Sequence, residues 1–169
     1  MKATFAALAA FTLLTATASA QTPPAGPSPA TAAALAQGAT LTWLVGARVA
    51  TSATGVKTFE AFVGPQNGVV TGTALAGNGT YTEYHKIGPK MGGGADAPYG
   101  LSVANPRSNM AWNFTPLKSI EKDKIVFESV DGANRITYFA EPENGVGSWV
   151  ERTAGGTTTR TEYHFKPVN

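Results

Sequence analysis

The sequence predicts an all-β protein, a single antiparallel β-barrel of about eight to ten strands with a short N-terminal plug helix. Charged residues make up only 14% of the 169 residues, whereas Gly occurs 19 times and Pro 11 times. Few charges and many turn formers favour β-structure over solvated helices. The chain contains no Cys, which excludes disulfides, thiol nucleophiles and Cys-ligated metal sites.

The main evidence for a barrel is a series of strand-sized segments separated by turn signals. Turns such as Gly77-Asn78-Gly79, Asp131-Gly132 and Gly155-Gly156 supply the positive φ angles of tight hairpins. A regular meander of this length removes its exposed edges by closing on itself. The predicted strands are Ala47–Ser52, Lys57–Val63, Gly68–Ala74, Tyr81–Gly88, Tyr99–Ala104, Met110–Lys118, Lys124–Ser129, Ile136–Ala140, Ser148–Thr153 and Thr158–Lys166.

Two of these segments alternate clearly between apolar and polar residues. Trp112 and Phe114 share one face of their strand, while Asn113 and Thr115 take the other. In the last strand, one face carries Thr161, Tyr163 and Phe165, and the other carries Arg160, Glu162, His164 and Lys166. Because side chains alternate with a period of two, each pattern predicts a half-buried strand. We expect His164 on the solvated outer face.

The N-terminal part of the chain divides into a leader and a linker. Residues 1–20 have a basic start at Lys2, a short apolar stretch and the cleavage motif Ala18-Ser19-Ala20, which predicts a signal peptide. Residues 21–31 are rich in Pro and predict a disordered linker. Residues 32–169 then form the β-barrel domain. The apolar stretch is too short to span a bilayer, so we expect a periplasmic or secreted protein with no membrane span after cleavage.

A short plug is expected before the first strand. Ala32–Gln37 is the one helix-like stretch after the linker, and Gly38 is suited to end it. The apolar residues Leu41, Trp43 and Leu44 follow. We expect these three side chains to be buried and to close one end of the barrel.

The order of several short motifs resembles a known family. The motifs are the Leu-x-Trp-Leu-x-Gly opening at Leu41–Gly46, Glu60-x-Phe62 with a Gly-Pro turn and Gly68–Gly72, Tyr81-x-Glu83-Tyr84-x-x-Ile87 with Tyr99-Gly100-Leu101, and Ile125–Glu128 with Arg135–Tyr138. Together, over about residues 40–140, they resemble the bacterial lipocalin-like (calycin-type) family called domain of unknown function 6265. The resemblance implies a barrel of about ten strands with a plug helix, and it implies no established activity.

One segment departs from the pattern of that family. After Phe-Glu the family has Asn-Pro and a His-Asp-Phe-Pro segment, whereas Phe127-Glu128 is followed here by Ser129–Asn134. The segment is shorter and lacks the His and the Pro. If this loop contributes to the family's site, the present chain would bind a different molecule or none.

Titratable residues at alternating positions suggest a polar group inside the barrel. Glu60 shares a strand face with Phe62, and Glu83 shares one with His85. A buried carboxylate requires a partner, and Arg135 offers a bidentate one. We therefore expect Glu60, Glu83 and Arg135 to form one network near His85. The predicted ligand-binding residues are Glu60, Phe62, Glu83, His85, Trp112, Arg135 and Tyr138, with no catalytic residue, metal or cofactor assigned.

Three functions are compatible with these residues. The first is binding of a small apolar or amphipathic molecule in the lumen, since barrels of this size hold one small ligand. The second is a structural or interaction module with a filled lumen. The third is a hydrolase or isomerase that uses Glu83 and His85. Loss of Lys2 with the leader lowers the net charge below the +2 of the whole chain, which gives no attraction to nucleic acid. The sequence leaves the oligomeric state open.

The leader generates the first testable prediction. In its native host, the mature protein should begin at Gln21 and accumulate outside the cytoplasm, because signal peptidase cleaves after small-residue motifs such as Ala18-Ser19-Ala20. N-terminal sequencing of protein from fractionated cells would test this. Cytoplasmic protein that retains residues 1–20 would contradict it.

Overall fold

The computed structural model describes residues 26–79, 82–106 and 109–168. These residues form a closed antiparallel barrel in which each strand pairs with its neighbours in sequence and β1 pairs with β10. The strands are β1 (Gly46–Thr51), β2 (Lys57–Gln66), β3 (Val69–Ala76), β4 (Thr82–Pro89), β5 (Tyr99–Ala104), β6 (Trp112–Ile120), β7 (Lys124–Glu128), β8 (Asn134–Glu141), β9 (Gly145–Ala154) and β10 (Thr157–Pro167).

The closed barrel confirms the predicted fold class. Each predicted strand has a counterpart, with ends that differ by a few residues, and Tyr81 of the predicted fourth strand lies outside the described residues. Closure depends on a short β1–β10 ladder in which Arg48 lies opposite Pro167 and Val49 opposite Lys166. The backbone N–H of Val168 also donates to the carbonyl of Ala47, at 3.1 Å. Among the described residues, closure leaves no long unpaired strand edge.

The N-terminal helix α1 (Pro29–Gly38) begins earlier than predicted. Ser28 caps it by accepting a hydrogen bond from the Thr31 N–H, and Pro29 occupies the first turn, where its missing N–H costs nothing. Residues 29–31, which were expected to belong to the disordered linker, are therefore helical. Residues 1–25, which contain the predicted leader and the rest of that linker, lie outside the described residues.

Helix α1 packs against the β2–β3 turn. A Cβ added to Gly68 would lie 2.0 Å from the carbonyl oxygen of Leu35, so only Gly allows this close approach. Tyr99 donates to the Gly68 carbonyl at 2.7 Å, and Thr31 donates to the Ala97 carbonyl at 3.3 Å. A bilayer-spanning helix needs about 20 apolar residues, and no helix in the described ranges is long and apolar enough to meet that requirement.

The hydrophobic core fills the end of the barrel at which β1 begins. A short 3-10 helix (Leu41–Leu44) precedes β1, and Leu41 and Leu44 are fully buried, as the plug prediction requires. Trp43 differs from the prediction: it is only partly buried, and it packs against the edge of the core. The remaining core side chains come from most strands and include Phe62, Val70, Ile87, Tyr99, Leu101, Ile125, Phe127, Val146 and Phe165.

Arg48 holds the plug in place from inside the barrel. Its side chain is buried, and its guanidinium donates to the carbonyls of Trp43, Leu44 and Val45 at 2.9, 2.7 and 2.9 Å. Its Nε donates to the Asn144 carbonyl, in the turn before β9, at 3.1 Å. Arg48 thus donates to carbonyls at the end of the 3-10 helix, where no further turn supplies N–H donors for them. The same contacts join the plug to the turn between β8 and β9.

Arg48 generates a prediction about stability. Arg48→Met keeps the apolar stem but removes the donors of four carbonyls; the hydrogen bond to Leu44 is buried and the other three are partly buried. An unsatisfied buried group costs about 1–3 kcal/mol. We expect a loss of unfolding free energy of about 3 kcal/mol or more in urea titrations. Arg48→Lys should recover only part of this loss, because an ammonium group cannot reproduce the fork of a guanidinium.

The matched control is Arg135→Met, at an Arg whose side chain is half exposed on the outer face. It should cost much less, because exposed ion pairs contribute little. Equal losses in the two Arg→Met variants would contradict the assigned role of Arg48.

Candidate functional site

A cavity of about 800 Å³ occupies the half of the barrel away from the plug. Its rim residues Asn134, Arg152 and Thr159 are exposed, so the cavity opens to solvent at that end. Its wall is mixed in polarity. The apolar part includes Leu101, Val103, Ile136, Val150, Tyr163 and Phe165, and the polar part includes Thr58, Glu60, Glu83, His85, Asn113, Thr115, Tyr138, Ser148 and Thr161.

Four polar side chains meet on the inner wall of this cavity. His85 is buried, and its Nε2 lies 3.3 Å from Oε2 of Glu83, two residues before it on the same face of β4. Its Nδ1 lies 3.8 Å from Oε1 of Glu60 on β2. Tyr138 on β8 donates to the same Oε1 at 3.2 Å. We call Glu60, Glu83, His85 and Tyr138 the lumen cluster.

The protonation of Glu83 determines the tautomer of His85. The hydrogen bond with His85 is the main reason that the pKa of Glu83 lies below its ordinary value. Asn105 adds a further hydrogen bond to Oε1 at 3.4 Å. An ionised carboxylate only accepts hydrogen bonds, so Nε2 of His85 must carry the proton in this pair. In the neutral imidazole, Nδ1 is then an acceptor.

The pKa of Glu60 is shifted in the opposite direction from that of Glu83. Burial raises the pKa of Glu60 from 4.5 to about 7, and the charge of His85 and the Tyr138 hydrogen bond oppose this rise. Arg48 is its direct cross-strand neighbour and also favours the charged form. However, the four hydrogen bonds that Arg48 donates go to backbone carbonyls and not to the Glu60 carboxyl. Glu60 is therefore close to half protonated near neutral pH.

The structure brings together five of the seven predicted site residues. Glu60, Glu83, His85 and Tyr138 form the lumen cluster, and Phe62 packs beside it with its ring 5.7 Å from the ring of His85 and 5.9 Å from that of Tyr138. Phe62 is buried below the cavity as part of the core.

The predicted inward position of Arg135 is wrong. Its side chain is half exposed on the outer face, where it donates to Glu128 on β7 and lies 3.9 Å from Glu151 on β9. Both carboxylates are its direct cross-strand neighbours. Because Tyr138 faces inward and side chains alternate along a strand, Arg135 must face outward. The expected network of Arg135 with Glu60 and Glu83 does not form.

The predicted inward position of Trp112 is also wrong. Trp112 is 41% exposed, while Asn113 and Thr115 line the cavity. The apolar face of β6 is outside because Gly100 on β5 leaves room for a ring: a Cβ there would lie 2.7 Å from Cζ of Phe114. The polar face of β6 can point inward because the lumen at this height is an open cavity. His164 lies on the outer face as expected, 2.6 Å from Glu141.

Several cavity residues were missed by the sequence analysis. The position of Thr58 in the cavity wall could have been predicted from the sequence, because Thr58 lies two residues from Glu60 on β2 and so shares its face. Asn113 and Thr115 were assigned to the wrong face. Arg152 lines the rim and helps to keep Glu83 ionised, but it carried no signal in the sequence. No model of a known protein family matches the chain, and no curated protein or solved structure matches it either.

The raised pKa of Glu60 predicts that stability decreases as the pH rises. The folded protein retains a proton that the unfolded chain releases near pH 4.5, and it loses this proton only near pH 7. The associated stabilisation is complete below pH 4.5 and is lost through about pH 7. Between pH 5 and 8, the unfolding free energy of the wild type should fall by about 2–3 kcal/mol relative to Glu60→Gln.

Urea titrations of both proteins at several pH values would measure this difference. Glu162→Gln, at a half-exposed carboxylate on the outer face, is the control and should follow the wild type. Glu83 acts in the opposite direction only below its ordinary pKa, outside this window. Parallel curves for the wild type and Glu60→Gln would show that Glu60 is ionised throughout.

Proposed function

We propose that this chain is an exported lipocalin-like barrel that binds one small amphipathic molecule in its lumen. The observation that carries the proposal is the cavity of about 800 Å³ with the lumen cluster on its wall. Ligand sites commonly measure about 300–1,000 Å³ and combine apolar walls with a few placed polar groups. The volume and the composition of the lumen agree with both criteria.

The division of the wall favours an amphipathic ligand over a purely apolar one. Val103, Ile136 and Val150 offer an apolar surface to a chain or ring system. The lumen cluster offers hydrogen-bonding groups at one place on the wall, and a bound polar group would compensate their burial. A purely apolar molecule would cover Glu60 and His85 without giving them partners.

The assignments to a family and to a compartment have separate support. The lipocalin-like assignment rests on the order of motifs from Leu41 to Tyr138, and the ten-stranded barrel with its plug is the architecture that this resemblance implies. Export rests on the leader pattern in residues 1–20. Both are proposals, and the N-terminal sequencing described above addresses the second.

The two alternative functions have less support. A purely structural barrel would gain stability from a lumen filled with side chains. Because the lumen instead contains a cavity of about 800 Å³, we favour ligand binding over a structural role. Hydrolysis or isomerisation through Glu83 and His85 stays a prediction from the sequence. Their contact would suit proton transfer, but it also holds the imidazole in one orientation, which binding alone requires.

Blocking the lumen should abolish binding. Val150→Trp places an indole in the cavity, and we expect it to weaken binding of the uncharged fluorescent probe N-phenyl-1-naphthylamine at least tenfold, since the ring would occupy the space of the ligand. Fluorescence titration measures this affinity, and native mass spectrometry of the wild type would show a molecule that co-purifies.

The control is the same substitution on the outer face. Val63→Trp, at a residue that is 64% exposed, should leave the affinity for the probe unchanged. Equal binding by Val150→Trp and the wild type would place the probe outside the lumen and would overturn the proposal.

A further inference from the structure

The lumen cluster contains a gap between two polar atoms. Nδ1 of His85 and Oε1 of Glu60 are 3.8 Å apart, which is too long for a hydrogen bond. The His85 side chain is 5% exposed, and Nδ1 has no hydrogen-bond partner among the residues that the structure describes. One oxygen atom at about 2.8 Å from each of the two atoms would fill the gap and bond to both.

We propose that the lumen selects amphipathic molecules whose polar end is an uncharged hydroxyl group, bound between His85 Nδ1 and Glu60 Oε1. This inference rests on the proposed binding function and names the chemical class of the ligand. In the neutral imidazole of His85, whose Nε2 donates to Glu83, Nδ1 needs a donor from the ligand. A hydroxyl donates one proton and accepts another, so it also serves the Glu60 carboxyl in its protonated form.

A carboxylate at the polar end is disfavoured by the charges around the gap. An ionised carboxylate has no proton to donate to Nδ1, which borders the gap together with the protonated Glu60 carboxyl. The ionised Glu83, on the other ring nitrogen of His85, also repels an anion. The guanidinium of Arg48 is committed to the carbonyls that hold the plug. Arg152 lies at the rim of the cavity, where it would retain an anion away from the gap.

Other polar ends match the gap less well than a hydroxyl. An ammonium group donates but cannot accept from the protonated Glu60 carboxyl, and it would lose its hydration at a buried site. An ether oxygen accepts but cannot donate to Nδ1. The hydroxyl is the group that combines a donor, an acceptor and no charge.

A set of probes with the same alkyl chain tests this selectivity in the intact protein. The probes are 1-decanol, decyl methyl ether, decanoate and decylamine, each measured by displacement of N-phenyl-1-naphthylamine at pH 7. We expect 1-decanol to bind at least tenfold more tightly than each of the other three. In His85→Phe, which keeps a ring beside Phe62, this preference should fall to about threefold or less. His164→Phe, on the outer face, should keep it.

The outcomes separate the inference from the proposed function. If the ether, the carboxylate or the amine binds as tightly as the alcohol, the inference is overturned and binding in the lumen stands. If no probe displaces the dye and the dye itself does not bind, the proposed function falls and the inference falls with it. The comparison in the wild type decides the inference even if His85→Phe does not fold.

Discussion

Four hydrogen bonds from the buried side chain of Arg48 hold the closed end of the barrel together. A charged group inside a barrel is tolerated only when its donors are satisfied, and Arg48 directs them to the carbonyls of Trp43, Leu44, Val45 and Asn144. These carbonyls belong to the plug and to the turn before β9. One side chain thus joins the first strand, the plug and the turn between β8 and β9.

This commitment also shapes the lumen cluster. Glu60 lies directly opposite Arg48 across β1 and β2, a position in which an ion pair is the usual arrangement. Because Arg48 gives its hydrogen bonds to the backbone, the carboxyl of Glu60 is left with Tyr138 and the more distant His85. Burial therefore dominates the pKa of Glu60, and the lumen keeps a polar group that is available to a ligand. Arg48 therefore links the closure of one end of the barrel to the protonation of Glu60 in the lumen.

The outer face of the barrel is divided into two regions with different chemistry. Across β6 to β10, alternating charges form a continuous ladder that links Lys118, Glu128, Arg135, Glu151, Arg160 and Glu162. Across β2 to β6, the outer face exposes apolar side chains, among them Phe59, Leu75, Tyr84 and Trp112. Arg135 belongs to the ladder, where carboxylates on both neighbouring strands already pair with it. The apolar region explains why hydrophobicity alone did not identify the inner face of β6.

Patterns in the amino-acid sequence were enough to predict the fold class, the approximate positions of the ten strands and most of the lumen cluster. Because side chains alternate with a period of two, Glu83 shares a strand face with His85, and Glu60 shares one with Phe62. This holds independently of the neighbouring strands. The same rule places Arg135 and Tyr138 on opposite faces, because they are three positions apart on one strand. Local alternation therefore specifies which residues share a face, and the strand bounds follow from Gly, Asn and Asp at the turns.

Which face of each strand points inward, and how the lumen cluster is assembled, depend on contacts between strands. On β6, the choice depends on Gly100 of the neighbouring strand, which makes room for Phe114 outside, and on an open cavity that accepts Asn113 and Thr115 inside. The contact between Glu60 and Tyr138 joins residues far apart in the chain, through a barrel that must close at a particular register. Such contacts depend on closure and on packing between strands, and a pattern within one strand does not contain that information.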